Sequence, residues 1–411
     1  MANKKFTNAN SDRDKIRNEM AASILRKRNQ PKGMKELGIH TLRNLPANIS
    51  MVQGLMKAVN WKMAQQEVLE GLNNTVVIVG QPNTGKSTLF NTLKGQNLSP
   101  ASSQSGTTRT LVRTDFGPFT LVDTPGHLPD VMESGMDQAS VIVFLVDASK
   151  GLQAADRELY QIIKRFDKPT VVAVNKIDEL RGGETGDQLA TEVAVQLEAP
   201  GVIPVSAKTG ENVAEELIPV IIEASPEAAL AIGRELPAYR HAAAQRIIRN
   251  STLISLAAGL EPIPFVDIPI LLGTQIRLVL RLAALYGEQM DSPDAKQHAR
   301  ELIATIAGGL GLRYLAQQAA KAVPFGGDFV AGAIAGAATW SIGQVALEYY
   351  EGNKQLSPKR LQQLYKSFYH RFRKDTKVQD LREQAFSELE TGKSDPILEE
   401  PDRKLLEEGK A

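Results

Sequence analysis

The hydrophobic pattern changes character twice along the chain. Ile16, Met20 and Ile24 recur every four residues, with Leu25 beside them, until Pro31 stops the pattern. Ile49, Val52, Met56, Val59 and Met63 then step by three and four, and Gly71 and Asn73-Asn74 close the stretch. Both spacings predict amphipathic helices. From about residue 75 the helical period is interrupted by short β-branched runs: Val76–Val79, Phe119–Val122, Val141–Val146, Val171–Val174 and Val202–Val205. Near-continuous apolar strands separated by helical patterns predict a mostly parallel sheet with helices on both faces. From Ser225 the strand runs cease and the chain reads as all helix to about 390. Only Arg313, Lys321 and Asp328 are charged between Leu302 and Leu347. Ser357-Pro358 supplies cap and first turn for a more polar helix whose stripe is Leu361, Leu364, Phe368 and Phe372.

The expected organisation is a basic helical N-terminal extension (1–72), an α/β domain (73–224), an apolar all-α domain (225–350), polar and aromatic helices (351–390) and a mobile acidic tail (391–411). Composition narrows the chemistry. The 411 residues include 48 Lys+Arg, 47 Asp+Glu and no cysteine. Disulfides, cysteine-bound zinc, iron–sulfur clusters and thiol nucleophiles are thereby excluded. The net charge of +1 argues against a globally basic nucleic-acid coat. It averages over an N-terminal arm with 11 Lys/Arg against four acids through Arg43. The polar start has no apolar leader, so the expected location is cytoplasmic, with a peripheral place at the inner face of a membrane as the alternative.

The strongest motif is Gly80-Gln81-Pro82-Asn83-Thr84-Gly85-Lys86-Ser87, which has Gly-x4-Gly-Lys-Ser spacing between a strand and a helix opening at Thr88-Leu89-Phe90. Glycines there let backbone N–H groups turn inward around a phosphate chain, and the helix N-terminus adds positive dipole. Lys86 is expected to reach the β- and γ-phosphates and Ser87 to ligate Mg²⁺, with Thr84 and Thr88 completing the cradle. Asn175-Lys176-Ile177-Asp178 closes a strand. A carboxylate at Asp178 accepts from both N1–H and the N2 amino group of guanine, whereas adenine offers neither donor. Asn175 is expected to hold the loop and the base edge, and the stem of Lys176 to cover the ring. Ser206-Ala207-Lys208 follows the last strand, where the Ala207 N–H reaches toward guanine O6. Asp123-Thr124-Pro125-Gly126 ends another strand: Asp123 is expected to hold Mg²⁺ through its water shell, and the Gly126 N–H to touch the γ-phosphate. In the polar loop Ser105-Gly106-Thr107-Thr108-Arg109, the Thr108 hydroxyl ligates Mg²⁺ only while the γ-phosphate is present, which makes that loop a switch.

These residues resemble the TrmE–Era–EngA group of TRAFAC-class GTPases over about 75–224. Gly-x-Pro-Asn-x-Gly-Lys-Ser-Thr-Leu-x-Asn and Gly-Thr-Thr-Arg are shared in wording. The resemblance implies Mg²⁺-dependent hydrolysis of GTP to GDP and phosphate, driving a conformational cycle. In potassium-stimulated members the Asn at the place of Asn83 helps hold a K⁺ ion that replaces an arginine finger. The resemblance also admits a nucleotide-dependent dimer. His127 departs from the group's pattern, because a large apolar residue is usual there. Asp-Thr-Pro-Gly-His instead resembles translation factors, in which that His positions the attacking water. A catalytic His127 and a plain His in a switch loop both stay open. No arginine finger is evident, and Arg109 is the one nearby candidate.

From Ser225 to about 350 the chain resembles a helical domain of unknown function attached to Era-like GTPases and found in YcjF-like membrane proteins. Pro264-Phe265-Val266-Asp267-Ile268-Pro269, Gln275-Ile276-Arg277, Leu285-Tyr286-Gly287, Val323-Pro324-Phe325-Gly326-Gly327 and Ala338-Thr339-Trp340-Ser341-Ile342-Gly343 carry the likeness. Phe329 to Leu347 is uncharged and contains Gly332-x3-Gly336, but only six of its residues are Leu, Ile, Phe or Val. These give about −2 to −4 kcal/mol toward insertion, opposed by Gln344, Ser341, Thr339 and the glycines. A buried core helix, a shallow membrane contact and a span all stay open, as does a hydrophobic helical protein partner. Gly308-Gly309-Leu310-Gly311 matches the KH-domain loop superficially and lacks basic or strand-patterned flanks. The basic N-terminal helix suits anionic lipid, RNA phosphate or a solvated face. The expectation is a GTP-hydrolysing conformational switch acting on a C-terminal helical domain. The alternatives are a membrane-associated mechanical GTPase (dynamin-like or IRG-like) and an RNA- or ribosome-assembly GTPase.

Overall fold

All five apolar runs form parallel strands at or near their expected bounds. The computed structural model describes residues 60–72, 75–95, 109–110, 113–122, 136–137, 139–181, 183–259, 267–290, 292–306 and 327–374, all within the unit Ile49–Ala411. Helix α1 (Trp61–Leu72) precedes β1 (Thr75–Gly80) and α2 (Lys86–Lys94). Then come β2 (Arg109–Thr110), β3 (Arg113–Phe116), β4 (Phe119–Val122), β5 (Ala139–Asp147), α3 (Ala154–Lys164), β6 (Thr170–Asn175), α4 (Gly186–Leu197) and β7 (Val202–Val205). The sheet order is β2-β3-β4-β1-β5-β6-β7. Strands β4, β1, β5, β6 and β7 are parallel, and β2 and β3 add an antiparallel edge. That edge is a correction: Arg109 lies in a strand rather than a polar loop. Its short polar strands carry no apolar run to announce them, because an edge strand need not be buried on both faces.

The register aligns the strand ends that carry the motifs. Gly80 is level with Leu145, Asp147 with Asn175, and Asn175 with Val205. The loops after β1, β5, β6 and β7 therefore open at one edge of the sheet, where ligands of parallel α/β sheets bind. One sheet face packs Val77, Val79, Ile142, Phe144 and Val146 against Leu159 and Ile163 of α3 and Val193 and Leu197 of α4.

The other face has no separate core of its own. Val76, Ile78, Val143, Leu145 and Ala173 share one continuous apolar cluster with Leu89 and Leu93 of α2 and with the C-terminal helices. Those helices are α5 (Ile218–Ala224), α6 (Pro226–Glu235), α7 (Arg240–Gly259), α8 (Asp267–Leu285), α9 (Pro293–Ile306), α10 (Gly327–Glu351) and α11 (Pro358–Lys374). Helix α6 packs on β1 and β5. Ser225 is the only residue between α5 and α6, and its hydroxyl caps α6 by accepting from the Glu227 and Ala228 N–H groups. Glu223 at the end of α5 is held by α7: Arg246 donates to its carbonyl at 2.9 Å and Arg249 pairs with its carboxylate. Tyr239 donates to the Ala214 carbonyl at 2.9 Å.

Three details of packing bear on the stretches read from the sequence. Helix α1, part of the stretch assigned to the N-terminal extension, packs on α6 and α8 through Trp61, Ala64 and Val68. Met63, expected on the apolar stripe, is 46% exposed, because the buried face is turned away from it. Helix α11, expected as part of a separate segment, packs on α9 and α10, with Leu361 and Tyr365 in the shared core. The stretch Phe329–Leu347 lies in α10, where Ala335–Thr339 and Ser341–Leu347 are buried against α7, α8 and α11. Gly336 serves this packing: a Cβ there would lie 2.5 Å from Leu256 Cγ. Among the described residues, no helix is long and apolar enough to cross a membrane. The basic helix over Ile16–Ile24, most of the 49–63 stripe, Gly308–Gly311, Val323–Gly326 and the 391–411 tail lie outside the described residues.

Candidate functional site

The phosphate loop leaves β1 against its neighbour so closely that only glycine fits. A Cβ on Gly80 would stand 2.6 Å from the Leu145 carbonyl oxygen and 2.9 Å from Thr84 Oγ1. Thr84 is buried, and its hydroxyl donates to the Gln81 carbonyl at 2.9 Å. Asn83 (φ 66°) and Gly85 (φ 91°) both adopt left-handed backbone, which reverses the chain before α2 starts at Lys86. Gly85 is constrained twice, since a Cβ would also lie 2.2 Å from Asn175 Nδ2. Lys86 is 4% exposed, and its ammonium donates to the carbonyls of Gly80 (3.0 Å) and Gln81 (3.1 Å). Ser87 and Thr88 are exposed on the first turn of α2.

Asn175, 1% exposed, ties the phosphate loop to the loop after β7. Its Nδ2 donates to the Thr84 carbonyl at 2.8 Å, and its Oδ1 accepts from the Ala207 N–H at 2.8 Å. This refines the expectation for both residues. Asn175 points inward as a staple, and an O6 atom approaching the Ala207 N–H would share it with Asn175 Oδ1. Thr92 of α2 adds a second tie, donating from its hydroxyl to the Ala207 carbonyl.

Asp178 sits in a short 3₁₀ turn whose backbone faces solvent, while its carboxylate side chain is only 15% exposed. Ser206 Oγ donates to its Oδ1 at 2.6 Å, and Lys208 Nζ lies 3.6 Å from its Oδ2. The Ser206 hydrogen bond, with its own backbone N–H and Lys208, outweighs partial burial and holds the carboxyl below its usual range. It is therefore an ionised acceptor at neutral pH, as pairing with two guanine donors requires.

Lys176 has left-handed backbone (φ 73°) and donates from Nζ to Asp147 Oδ2 at 2.6 Å. Its Cε lies 4.0 Å from the Cβ position on Gly85, so its stem runs beside the phosphate loop. Asp147 ends β5, is 3% exposed, and accepts at Oδ1 from the Ser149 N–H (3.0 Å) and hydroxyl (2.7 Å). Burial pushes its carboxyl up, but Lys176 and the two Ser149 donors more than offset that and hold it below the usual range. Nearby Asp156 is pushed up, chiefly by burial. Asp147 is the site residue that sequence reasoning missed. The available signal was an acid closing an otherwise apolar strand.

The structure thus brings together Gly80, Asn83, Thr84, Gly85, Lys86, Ser87, Thr88, Asn175, Lys176, Asp178, Ser206, Ala207 and Lys208. Ser105–Thr108, Asp123, Gly126 and His127 lie outside the described residues, as does the side chain of Arg109. Among the described residues, no group of three or more His, Asp or Glu could hold a metal unaided.

A glycine-rich loop between strand and helix, joined to an ionised Asp178 at the next strand ends, defines a phosphate-loop domain of the guanine-nucleotide class. Residues 75–176 match the family model described as a 50S ribosome-binding GTPase, and residues 224–374 match a domain of unknown function, DUF697. Over residues 75–176 the chain is thus similar to the GTPases of that family, and over 224–374 to DUF697 domains. GTPase Era of Aquifex aeolicus is 34% identical over 171 residues, spanning 37% of this chain and 56% of the relative. GTPase Der of Moorella thermoacetica is 31% identical over 210 residues, spanning 47% and 46%. The chain therefore spans only about half the length of these curated relatives. A crystal structure of Aquifex aeolicus Era bound to GDP and AlF₄⁻ is 30% identical, covering 44% of this chain and 66% of that one, with a TM-score of 0.30.

Proposed function

We propose that the protein binds GTP, hydrolyses it to GDP and phosphate, and uses that cycle as a conformational switch on its C-terminal helical domain. The observation that carries the reading is the Asn175 staple, which joins the phosphate loop to the guanine-side loop beside an ionised Asp178. Lys86 now satisfies its ammonium on the loop's own carbonyls, so phosphate oxygens would replace Gly80 and Gln81 as its partners. Water attacks the γ-phosphate in line, and charge builds on the oxygens that Lys86 and the Gly126 N–H face. His127 would orient that water, and unchanged hydrolysis by His127→Ala would remove this role alone.

The Ser87 hydroxyl fits a Mg²⁺ ligand, because it is exposed on the first turn of α2 and no described residue takes it. Ser87, Thr108 and Asp123 would hold Mg²⁺, which supplies positive charge to the β- and γ-phosphate oxygens. Asn83 is exposed in the phosphate loop and would hold K⁺, adding charge where an arginine finger is lacking. Support for the switch is the shared core: α2 follows the phosphate loop directly, and its Leu89 and Leu93 pack in the same cluster as α6, α7 and α8.

The test is hydrolysis by the purified chain with Mg²⁺, in K⁺ and in Na⁺. GTP should be hydrolysed slowly and ATP not, with a faster rate in K⁺. Asp178→Asn should lose GTP by about 10⁴-fold in kcat/KM, because the buried donors and acceptors no longer match. It should gain activity on xanthosine triphosphate, whose base keeps the N1–H donor but presents a carbonyl acceptor at position 2 where guanine has an amino donor. Preference of the unaltered chain for ATP would overturn the reading, and equal rates in K⁺ and Na⁺ would remove the K⁺ role alone.

A further inference from the structure

Helix α11 carries six cations and no acid: Lys359, Arg360, Lys366, Arg371, Arg373 and Lys374. Its apolar side is already occupied. Leu361, Tyr365 and Phe372 are buried, and Phe368 and Phe372 pack their rings on Trp340 of α10 at 5.8 and 5.5 Å. The opposite side is solvent-facing. Lys359, Arg360, Gln363, Lys366, Ser367, His370 and Arg371 are all exposed. At 100° per residue they fall within an arc of about 140°, and Lys359 to Arg371 spans about 18 Å along the axis. Among the described residues, no carboxylate pairs with Lys359, Arg360, Lys366 or Arg371. Elsewhere in this domain, exposed or partly exposed cations such as Arg249 and Lys354 do have acidic partners. Arg300 is also exposed without an acidic partner among the described residues; what sets α11 apart is the alignment of four such cations on one arc of a rigidly packed helix that carries no acid.

We infer that the exposed face of α11 is a docking surface for an anionic lipid bilayer, lying parallel to the headgroups. Charge complementarity sets the sign of the partner, and the side chains select its class. Single-stranded nucleic acid is bound by aromatic platforms offered to solvent, but the aromatic rings of α11 are turned into the core or half-buried. The deep, narrow major groove of an RNA duplex excludes a helix. A row of cations without stacking rings suits a uniform layer of phosphate headgroups. The apolar face is committed to α10, so binding is electrostatic and peripheral, without insertion. The inference stands independently of the nucleotide reading.

The test uses the full chain in co-sedimentation with vesicles of phosphatidylcholine alone or with about 30% phosphatidylglycerol, at low and at physiological salt. Binding should require the anionic lipid and weaken with salt. Each cation contributes about fivefold to partitioning. Changing all four to glutamine (Lys359→Gln, Arg360→Gln, Lys366→Gln, Arg371→Gln) should lower it several hundred-fold. Thermal unfolding and vesicle-free GTP hydrolysis should stay unchanged, since all four side chains are exposed and none belongs to the nucleotide site. The charge-preserving pair Lys359→Arg, Lys366→Arg should bind like the unaltered protein. Undiminished vesicle binding by the four-fold variant would overturn the inference. So would equal binding to neutral vesicles, or loss of RNA binding in place of vesicle binding.

Discussion

Replacing Asn175 by alanine removes one buried amide and strands two backbone groups. The Thr84 carbonyl loses the Nδ2 donor at 2.8 Å, and the Ala207 N–H loses the Oδ1 acceptor at 2.8 Å. Asn175 is 1% exposed, so water cannot take its place without opening the strand ends. Each stranded group costs about 1–3 kcal/mol, which sets the expected loss at about 2–6 kcal/mol. That is a large part of the roughly 5–15 kcal/mol that holds a domain folded. Urea unfolding of the apo protein measures it directly, and stopped-flow release of a fluorescent GDP should show faster dissociation as the two loops part. Asn175→Asp is the finer test. It keeps the acceptor for Ala207 but sets a carboxylate against the Thr84 carbonyl, so folding favours the protonated acid. A folded state that binds more protons than the unfolded one loses stability as pH rises. This variant should therefore be closest to the unaltered protein at acid pH. An Asn175→Ala protein with an unchanged urea midpoint and unchanged GDP release would refute the account.

The buried Asp147–Lys176 pair and the core glycines give further expectations. Asp147 has a depressed folded-state pKa, so its contribution is present above the unfolded value of about 3.9 and is lost as pH falls through the folded one. Asp147→Asn should thus be less stable than the unaltered protein at pH 6, with the gap closing below about pH 4; urea midpoints across that range would measure it. Gly343→Ala sets helix propensity against packing. A Cβ would lie 2.8 and 2.9 Å from Cγ1 and Cγ2 of Ile248, whose β-branched side chain has little rotamer freedom. Overpacking of about 1–3 kcal/mol should exceed the propensity gain of about 1 kcal/mol, lowering the unfolding midpoint without changing the m-value.

Much of the nucleotide-binding half was legible in the chain alone, because its requirements are local. Gly80, Gly85, Lys86 and Ser87 must stand in one loop between one strand and one helix. Asp178 and Ser206 are each announced by the strand they follow. What was not legible depended on partners distant in sequence. Asp147 reads as the last residue of an apolar strand until Lys176 is seen 2.6 Å away. Ala207 reads as a free N–H until Asn175 is found to hold it. The short polar strands β2 and β3 gave no periodic signal, because two and four residues are too few to show one.

The helical half reverses that balance. Its sequence read as all helix from Ser225 to about 390, through period and the Ser357-Pro358 cap. It did not determine where each apolar face would go. The uncharged stretch in α10 was compatible with lipid, a partner protein or a core. Only the tertiary structure placed α7, α8 and α11 around it and set Leu256 and Ile248 against its glycines. The physical reason is that hydrophobic burial is non-directional: a sequence specifies how much apolar surface must leave water, and on which side of a helix. Which neighbour covers that surface is settled by packing among all the helices at once. Here that packing joins α6 to the sheet in one core, and turns the cationic side of α11 toward solvent.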